Sequence, residues 1–178
     1  MEKLEKMRLV GKVVANILQT LKNETKPGMT GKGLEKKALQ LMKQKKVKSS
    51  IKEYLGFSAA ICVSLNEELT HGIPDEREFK KGDLVSFDVA CHMKNKKGIS
   101  FHADAAMTVL IKGNDEKDKE KAELLLVAEN ALNTAIKNIQ PGLTTDQDIG
   151  GWIEKYVQDY AKPQRYYVIK EYGGHGIG

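Results

Sequence analysis

Two aspartates stand where a carboxylate is costly. Asp88 lies inside the apolar run LVSFDVA (84–90), and Asp104 inside SFHADAAMTVLI (100–111). A lone carboxylate in an apolar strand is destabilising unless it is paired or bound to a cation. Asn95 to Gly98 reads as a turn. A hairpin folded about Lys96 sets the two aspartates opposite each other, with Cβ atoms about 4.5–5.5 Å apart. Like charges so placed repel, and a divalent cation, or two bridged by a carboxylate, removes that penalty. The competing reading is a strand-end aspartate bonded to a loop, because a one-residue slip in register breaks the pairing.

The histidines supply the second kind of chemistry. His175 sits in YGGHGIG (172–178) and His71 in THGIP (70–74). Glycines around His175 permit close backbone approach to a ligand, and His71 is placed either to bond a substrate or to cap a turn. His102 shares the Asp104 face by strand alternation, in a supporting or solvent-facing role. His92 falls in the hairpin and is expected to be exposed. Phosphate-loop, nucleophile-elbow and paired CxxC patterns are absent from the sequence. Cys62 and Cys91 sit in apolar strands as core thiols.

The elements that position these residues follow from periodicity. Leu4, Met7, Gly11, Val14, Leu18 and Leu21, with Val10 and Ile17 alongside, predict an amphipathic helix that ends at Lys26-Pro27-Gly28. Thr30 caps a second helix with Leu34, Ala38, Leu41 and Met42 on its stripe. Residues 43–50 read as a basic loop. Ser58–Leu65, Leu84–Ala90 and Ser100–Ile111 read as strands. Lys112–Lys119 reads as a charged loop. A long helix then runs over about 121–139, with Leu124, Val127, Ala128, Ala131, Leu132 and Ala135 inward.

A shift of 114 residues superposes Val13, Asn16, Leu18, Thr20, Pro27, Gly28 and Thr30 on Val127, Asn130, Leu132, Thr134, Pro141, Gly142 and Thr144. The shared helix–PGxT–helix grammar suggests a duplicated unit, repeat one over about 1–112 and a partial repeat two over about 121–178. On this pattern Gly178 matches Ser64. The expectation is a single domain whose second half is incomplete by about fifty residues or more.

Four segments in order carry a resemblance: NEELTHGIP (66–74), GDLVSFDV (82–89), FHAD (101–104) and EYGGHGIG (171–178). Together they resemble type I methionine aminopeptidases over nearly the whole chain. The resemblance implies an α+β, pita-bread fold of two pseudo-symmetric halves around an antiparallel sheet. It implies removal of the initiator methionine from nascent proteins when the second residue is small. Two divalent metal ions bridged by water or hydroxide serve that family, and Co, Mn, Fe, Zn and Ni all remain open. Asp88, Asp104 and His175 match three of its five metal ligands. His71 matches the histidine that contacts substrate at the scissile peptide and is the catalytic candidate. Tyr54, Phe57 and Tyr172 fall where the family lines its methionine pocket, and Thr70 where many bacterial members have Cys. Ala103 stands for a frequent Gly, Gly173 for a frequent Cys, and the hairpin is longer than the short bacterial form. The family's remaining histidine and two glutamates follow GHGIG, so this chain alone is expected to be inactive or weakly active.

Two alternatives stand beside that reading. One is a proline-specific (Xaa-Pro) peptidase of the same fold. The other is a non-catalytic pita-bread protein that binds RNA or ribosomes. Residues 1–50 hold 13 Lys/Arg against 4 Asp/Glu, within a chain of net charge +5. Those lysines interleave with apolar residues as a solvated helix face does. The partners expected are nascent polypeptide N-termini, with transient ribosome contact, no membrane and no specific nucleic acid. The complete protein is expected to be monomeric. Two cysteines and no export signal in the opening residues point to the cytoplasm.

Overall fold

The computed structural model describes residues 2–113, 116–160 and 166–177, which fall into two compact units. The first contains helices α1 (Glu2–Glu24) and α2 (Gly31–Gln44) and strands β1 (Lys48–Ser49), β2 (Cys62–Leu65), β3 (Leu84–Lys94) and β4 (Ser100–Leu110). The second contains α3 (Glu116–Asn138) and α4 (Asp146–Tyr160), followed by coil.

The first unit is built on β3. This strand pairs antiparallel with β4 along one edge, and with β1 and β2 along the other. Period-two alternation splits its side chains. Val85, Phe87, Val89 and Cys91 are buried, while Leu84, Ser86, Asp88, Ala90 and His92 line the opposite face, each half-buried. The buried face packs on α1, which presents Val10, Val13, Val14, Ile17, Leu18 and Leu21. Leu34, Ala38 and Met42 of α2 join the same core. Leu4, expected on the α1 stripe, is 54% exposed and lies outside the buried core cluster.

The turn between α1 and α2 is held from several sides. Gly28 adopts φ +82°, open to glycine without strain, and its N–H donates to the Phe79 carbonyl at 2.9 Å. Thr30 is the cap of α2, its Oγ1 accepting from Gly33 N–H at 3.1 Å. Lys37 Nζ reaches Glu24 Oε1 at 2.7 Å and ties the two helices together. Thr30→Ala removes the cap acceptor. The expected loss is about 1 kcal/mol, read as a fall of about 3 °C in thermal midpoint.

The second unit has a small core of Val127, Ala131 and Val157, with Ile153, Tyr156, Tyr166 and Val168 packed around it. Its elements follow the order of the first unit's helices. A shift of 114 carries α1 onto α3 end to end, and Gly142 repeats the positive φ of Gly28 at +80°. Two details depart from the sequence reading. α3 starts at Glu116, before Lys121, because Glu116 and Asp118 suit a helix N-terminus. Of its expected inner stripe, Val127, Ala131 and Ala135 are buried, whereas Leu124, Ala128 and Leu132 are exposed. Periodicity marks an apolar face but not what covers it.

Candidate metal centre

Asp88 and Asp104 share the open face of the β3–β4 hairpin, but they are not direct partners. Asp88 pairs with Ala106, and Asp104 with Ala90. The expected Asp88–Asp104 pairing is therefore corrected to a diagonal one, for which separations of roughly 7–8 Å are typical. The cause lies in the turn. Asn95 N–H donates to Ile99 O at 3.0 Å, and Gly98, at φ +80°, donates to Asn95 O at 3.0 Å. Asn95 Oδ1 also accepts from Lys97 and Ile99 N–H, each at 3.0 Å. A left-handed glycine makes this a three-residue loop centred on Lys97, one position past Lys96. Moving the centre by one moves every partner by two, and a two-residue shift keeps each side chain on its face.

Asp88 is half-buried and Asp104 is exposed, with the methyl groups of Ala90 and Ala106 as their cross-strand partners. Two carboxylates on one face are hard oxygen donors, the donor type a divalent cation takes. Cys62 sits directly opposite Asp88 on β2, an arrangement set by long-range pairing and hidden from the sequence. Burial, and then the Asp88 charge, push the Cys62 thiol up to about 11. Next along the same face, Ser86 Oγ and Thr108 Oγ1 share a hydrogen bond of 2.9 Å.

The loop after β2 accounts physically for the NEELTHGIP pattern. Asn66 adopts φ +54° and clasps the start of β3. Its backbone N–H donates to Leu84 O at 2.9 Å, its Oδ1 accepts from Leu84 N–H at 3.0 Å, and its Nδ2 donates to Asp83 Oδ1 at 3.0 Å. Glu68 Oε2 accepts from Leu65 N–H at 3.0 Å. Arg77 bridges Glu68 and Asp75, so one guanidinium brackets the segment that carries Thr70, His71 and Gly72. Gly72 donates to Ser64 Oγ at 3.1 Å and accepts from Val63 N–H at 2.9 Å. His71 is thus held at φ +56° with its side chain exposed, a conformation few non-glycine residues adopt unless their surroundings impose it.

The description of metallopeptidase family M24 matches residues 5–178. The chain belongs to that family.

Among the M24 chain's relatives, methionine aminopeptidase from Mycoplasma capricolum is 36% identical over 99% of this chain and 66% of its own length. Methionine aminopeptidase 1 from Bacillus subtilis is 36% identical over 97% of this chain and 64% of its own length. The crystal structure of methionine aminopeptidase from Thermotoga maritima superposes with a TM-score of 0.85 at 36% identity, covering 99% of this chain and 66% of that one. The M24 chain therefore spans just under two thirds of the length of these relatives. The α+β, pita-bread class expected from its motifs is the fold class it has.

The remaining site candidates divide between the two units. In the first, Tyr54 and Phe57 sit on one tight turn, with Phe57 N–H donating to Tyr54 O at 3.0 Å. Tyr54 is 68% exposed and Phe57 half-buried. Thr70 is exposed on the loop beside His71. In the second unit, Tyr172 and His175 lie in exposed coil, and His175 Nδ1 is 3.1 Å from Gly176 O. Gly178, the last residue of the GHGIG segment, lies outside the described residues. Among the described residues no three His, Cys, Asp or Glu side chains converge as ligands, and no helix is long and apolar enough to cross a membrane.

His92, expected to be exposed, is half-buried, with its ring stacked on His102, Lys48 opposite it on β1 and Ser50 against its Nδ1. Cys91 is fully buried, and burial pushes its thiol up to about 12. An unfolded chain ionises this thiol near 9.0, while the folded one keeps it protonated. Folding stability is accordingly full below that pH and falls as pH rises toward 12. Urea midpoints measured from pH 8 to 11 are expected to decline above 9. A flat profile contradicts the burial argument.

Proposed function

We propose that this M24 protein is a methionine aminopeptidase. It removes the initiator methionine from nascent chains whose second residue is small. The reading rests on one arrangement above all: a clamped NEELTHGIP loop beside a hairpin that puts Asp88 and Asp104 on one face. The names of the relatives at 36% identity point the same way.

Asp88, Asp104 and His175 are the proposed ligands for a pair of divalent ions, of Co, Mn, Fe, Zn or Ni. When bound, such ions lower the pKa of a water molecule and polarise a scissile carbonyl. His71, held by the Arg77 bracket and by Gly72, donates a hydrogen bond to that carbonyl or to the developing oxyanion. Tyr54, Phe57 and Tyr172 are the proposed walls for the substrate's first side chain, with Thr70 beside them. Apolar and aromatic walls suit an unbranched thioether.

Its partners on this reading are nascent N-termini in the cytoplasm, with transient ribosome contact. It acts as a monomer, and its two units derive from one duplicated element. Asp88, Asp104 and His175 are three of the five ligands the resemblance implies.

The test is hydrolysis of Met-Ala and Xaa-Pro peptides with Mn²⁺ or Co²⁺ added. Metal-stimulated release of methionine from Met-Ala is the expected result. Cleavage confined to Xaa-Pro bonds favours the proline-specific alternative and overturns the assignment.

A further inference from the structure

His92 and His102 have no part in the function proposed above, yet they meet on the same open face of the sheet. They are direct partners across β3 and β4. Their rings stack with centroids 5.1 Å apart and planes 29° from parallel. Both Nδ1 atoms turn to one atom, Ser50 Oγ, which lies 3.2 Å from His92 and 3.0 Å from His102. Ser50 is itself anchored, its backbone N–H donating to Ala90 O at 2.9 Å.

A hydroxyl carries one proton and can donate to only one of two neutral rings. The other ring must then present its own Nδ1–H to the hydroxyl oxygen. Two ring nitrogens and one oxygen therefore converge on a single small volume, and the His102 side of it is exposed.

Ring nitrogens ligate a divalent ion at about 2.0–2.1 Å, so two of them on one ion lie about 3 Å apart. Both nitrogens lie within 3.2 Å of the one Ser50 oxygen, so an ion seated beside that oxygen is within reach of both rings. Lys48 is the cross-strand partner of His92, and Lys94 lies two residues along β3. Their charge disfavours an ion held by electrostatics alone and leaves ions that form a coordinate bond to imidazole. Burial, the His102 ring and these lysines also hold the His92 imidazole below its ordinary value, which favours the neutral ring that ligates metal.

We propose that His92, His102 and Ser50 form a second metal site, distinct from the Asp88–Asp104 pair, for a late first-row ion of the zinc, nickel or copper class. Water completes the coordination. Hard ions such as Mg²⁺ and Ca²⁺, which prefer oxygen donors, do not compete for it.

The test is a Zn²⁺ titration of the ¹⁵N-labelled 178-residue chain, followed through the imidazole nitrogens. The His92 and His102 resonances are expected to shift together and to keep shifting in the Asp88→Asn/Asp104→Asn double variant. His92→Gln and His102→Gln are each expected to weaken Zn²⁺ binding at least about tenfold, and Ser50→Ala several-fold. Protection of both rings from diethyl pyrocarbonate by Zn²⁺ provides a reading that needs no variant. Imidazole resonances that do not move in millimolar Zn²⁺ overturn the proposal. So does a shift that vanishes with the two aspartates, or equal Zn²⁺ binding by the His→Gln chains.

Discussion

Replacing Asp88 by Asn is expected to weaken Mn²⁺ or Co²⁺ binding by at least about tenfold, and by up to about a hundredfold or more, while leaving the fold intact. Asp88 lies in the central strand of the sheet, half-buried, on the face it shares with Asp104. Asn preserves the side-chain shape and removes only the charge. Loss of a group that merely orients a ligand costs about 10–100-fold in metal affinity, and loss of a ligand itself costs no less. A second reading comes from the cross-strand neighbour. The Asp88 charge is one of the two causes that push the Cys62 thiol up. Without it, the Cys62 thiol falls toward its ordinary value, and alkylation at pH 9 becomes faster. Calorimetric titration measures the first effect and iodoacetamide labelling the second. Unchanged metal affinity alongside faster labelling places Asp88 beside Cys62 but removes it from the metal centre.

Gly72→Ala is expected to destabilise the first unit by roughly 3 kcal/mol, the upper end for overpacking a well-filled site. A Cβ at residue 72 overlaps Val63 O and meets Ser64 Cα at 2.8 Å. Both are backbone atoms of β2, which is paired to β3 and cannot swing aside as a side-chain tip does. The loop must instead lift off, breaking the Gly72 hydrogen bonds to Ser64 Oγ and Val63 N–H and releasing His71 from its positive-φ conformation. Denaturant melts measure the stability loss. Hydrogen exchange at Val63 separates local lifting from global unfolding. A variant as stable as the parent, with Val63 still protected, contradicts the close approach.

Much of the first unit was legible in its residues because its signals are local. Val10, Val14, Ile17 and Leu21 recur at helical spacing, Thr30 is a cap, and LVSFDVA alternates. The expected helices and the hairpin are all present. What escaped depends on pairing between distant segments. Lys48-Ser49 has no apolar pattern and becomes a strand only because His92 and Cys91 lie opposite. Cys62 joins the carboxylate face for the same reason. The hairpin register hung on whether Gly98 closed the turn in a left-handed conformation, which composition does not decide. The proposed roles of Asp88 and Asp104 follow from the cost of isolated charge. Those proposed for Tyr54, Phe57 and Tyr172 rest on resemblance alone, since an aromatic residue on a loop has many uses.

The Asn95–Ile99 turn also bears on how this hairpin can change length. Four paired rungs, from Cys91–Ala103 to Lys94–Ser100, separate it from the rung that holds Asp104. Adding one residue to each arm lengthens the ribbon and leaves both aspartates in place. Adding one residue to a single arm must be absorbed as a bulge, or it rotates everything beyond it to the wrong face. The tip is thus a tolerant graft point for foreign peptide, provided the arms grow in step. A short epitope or fluorophore site placed between Lys96 and Lys97 would ride on an exposed loop without reaching the carboxylates.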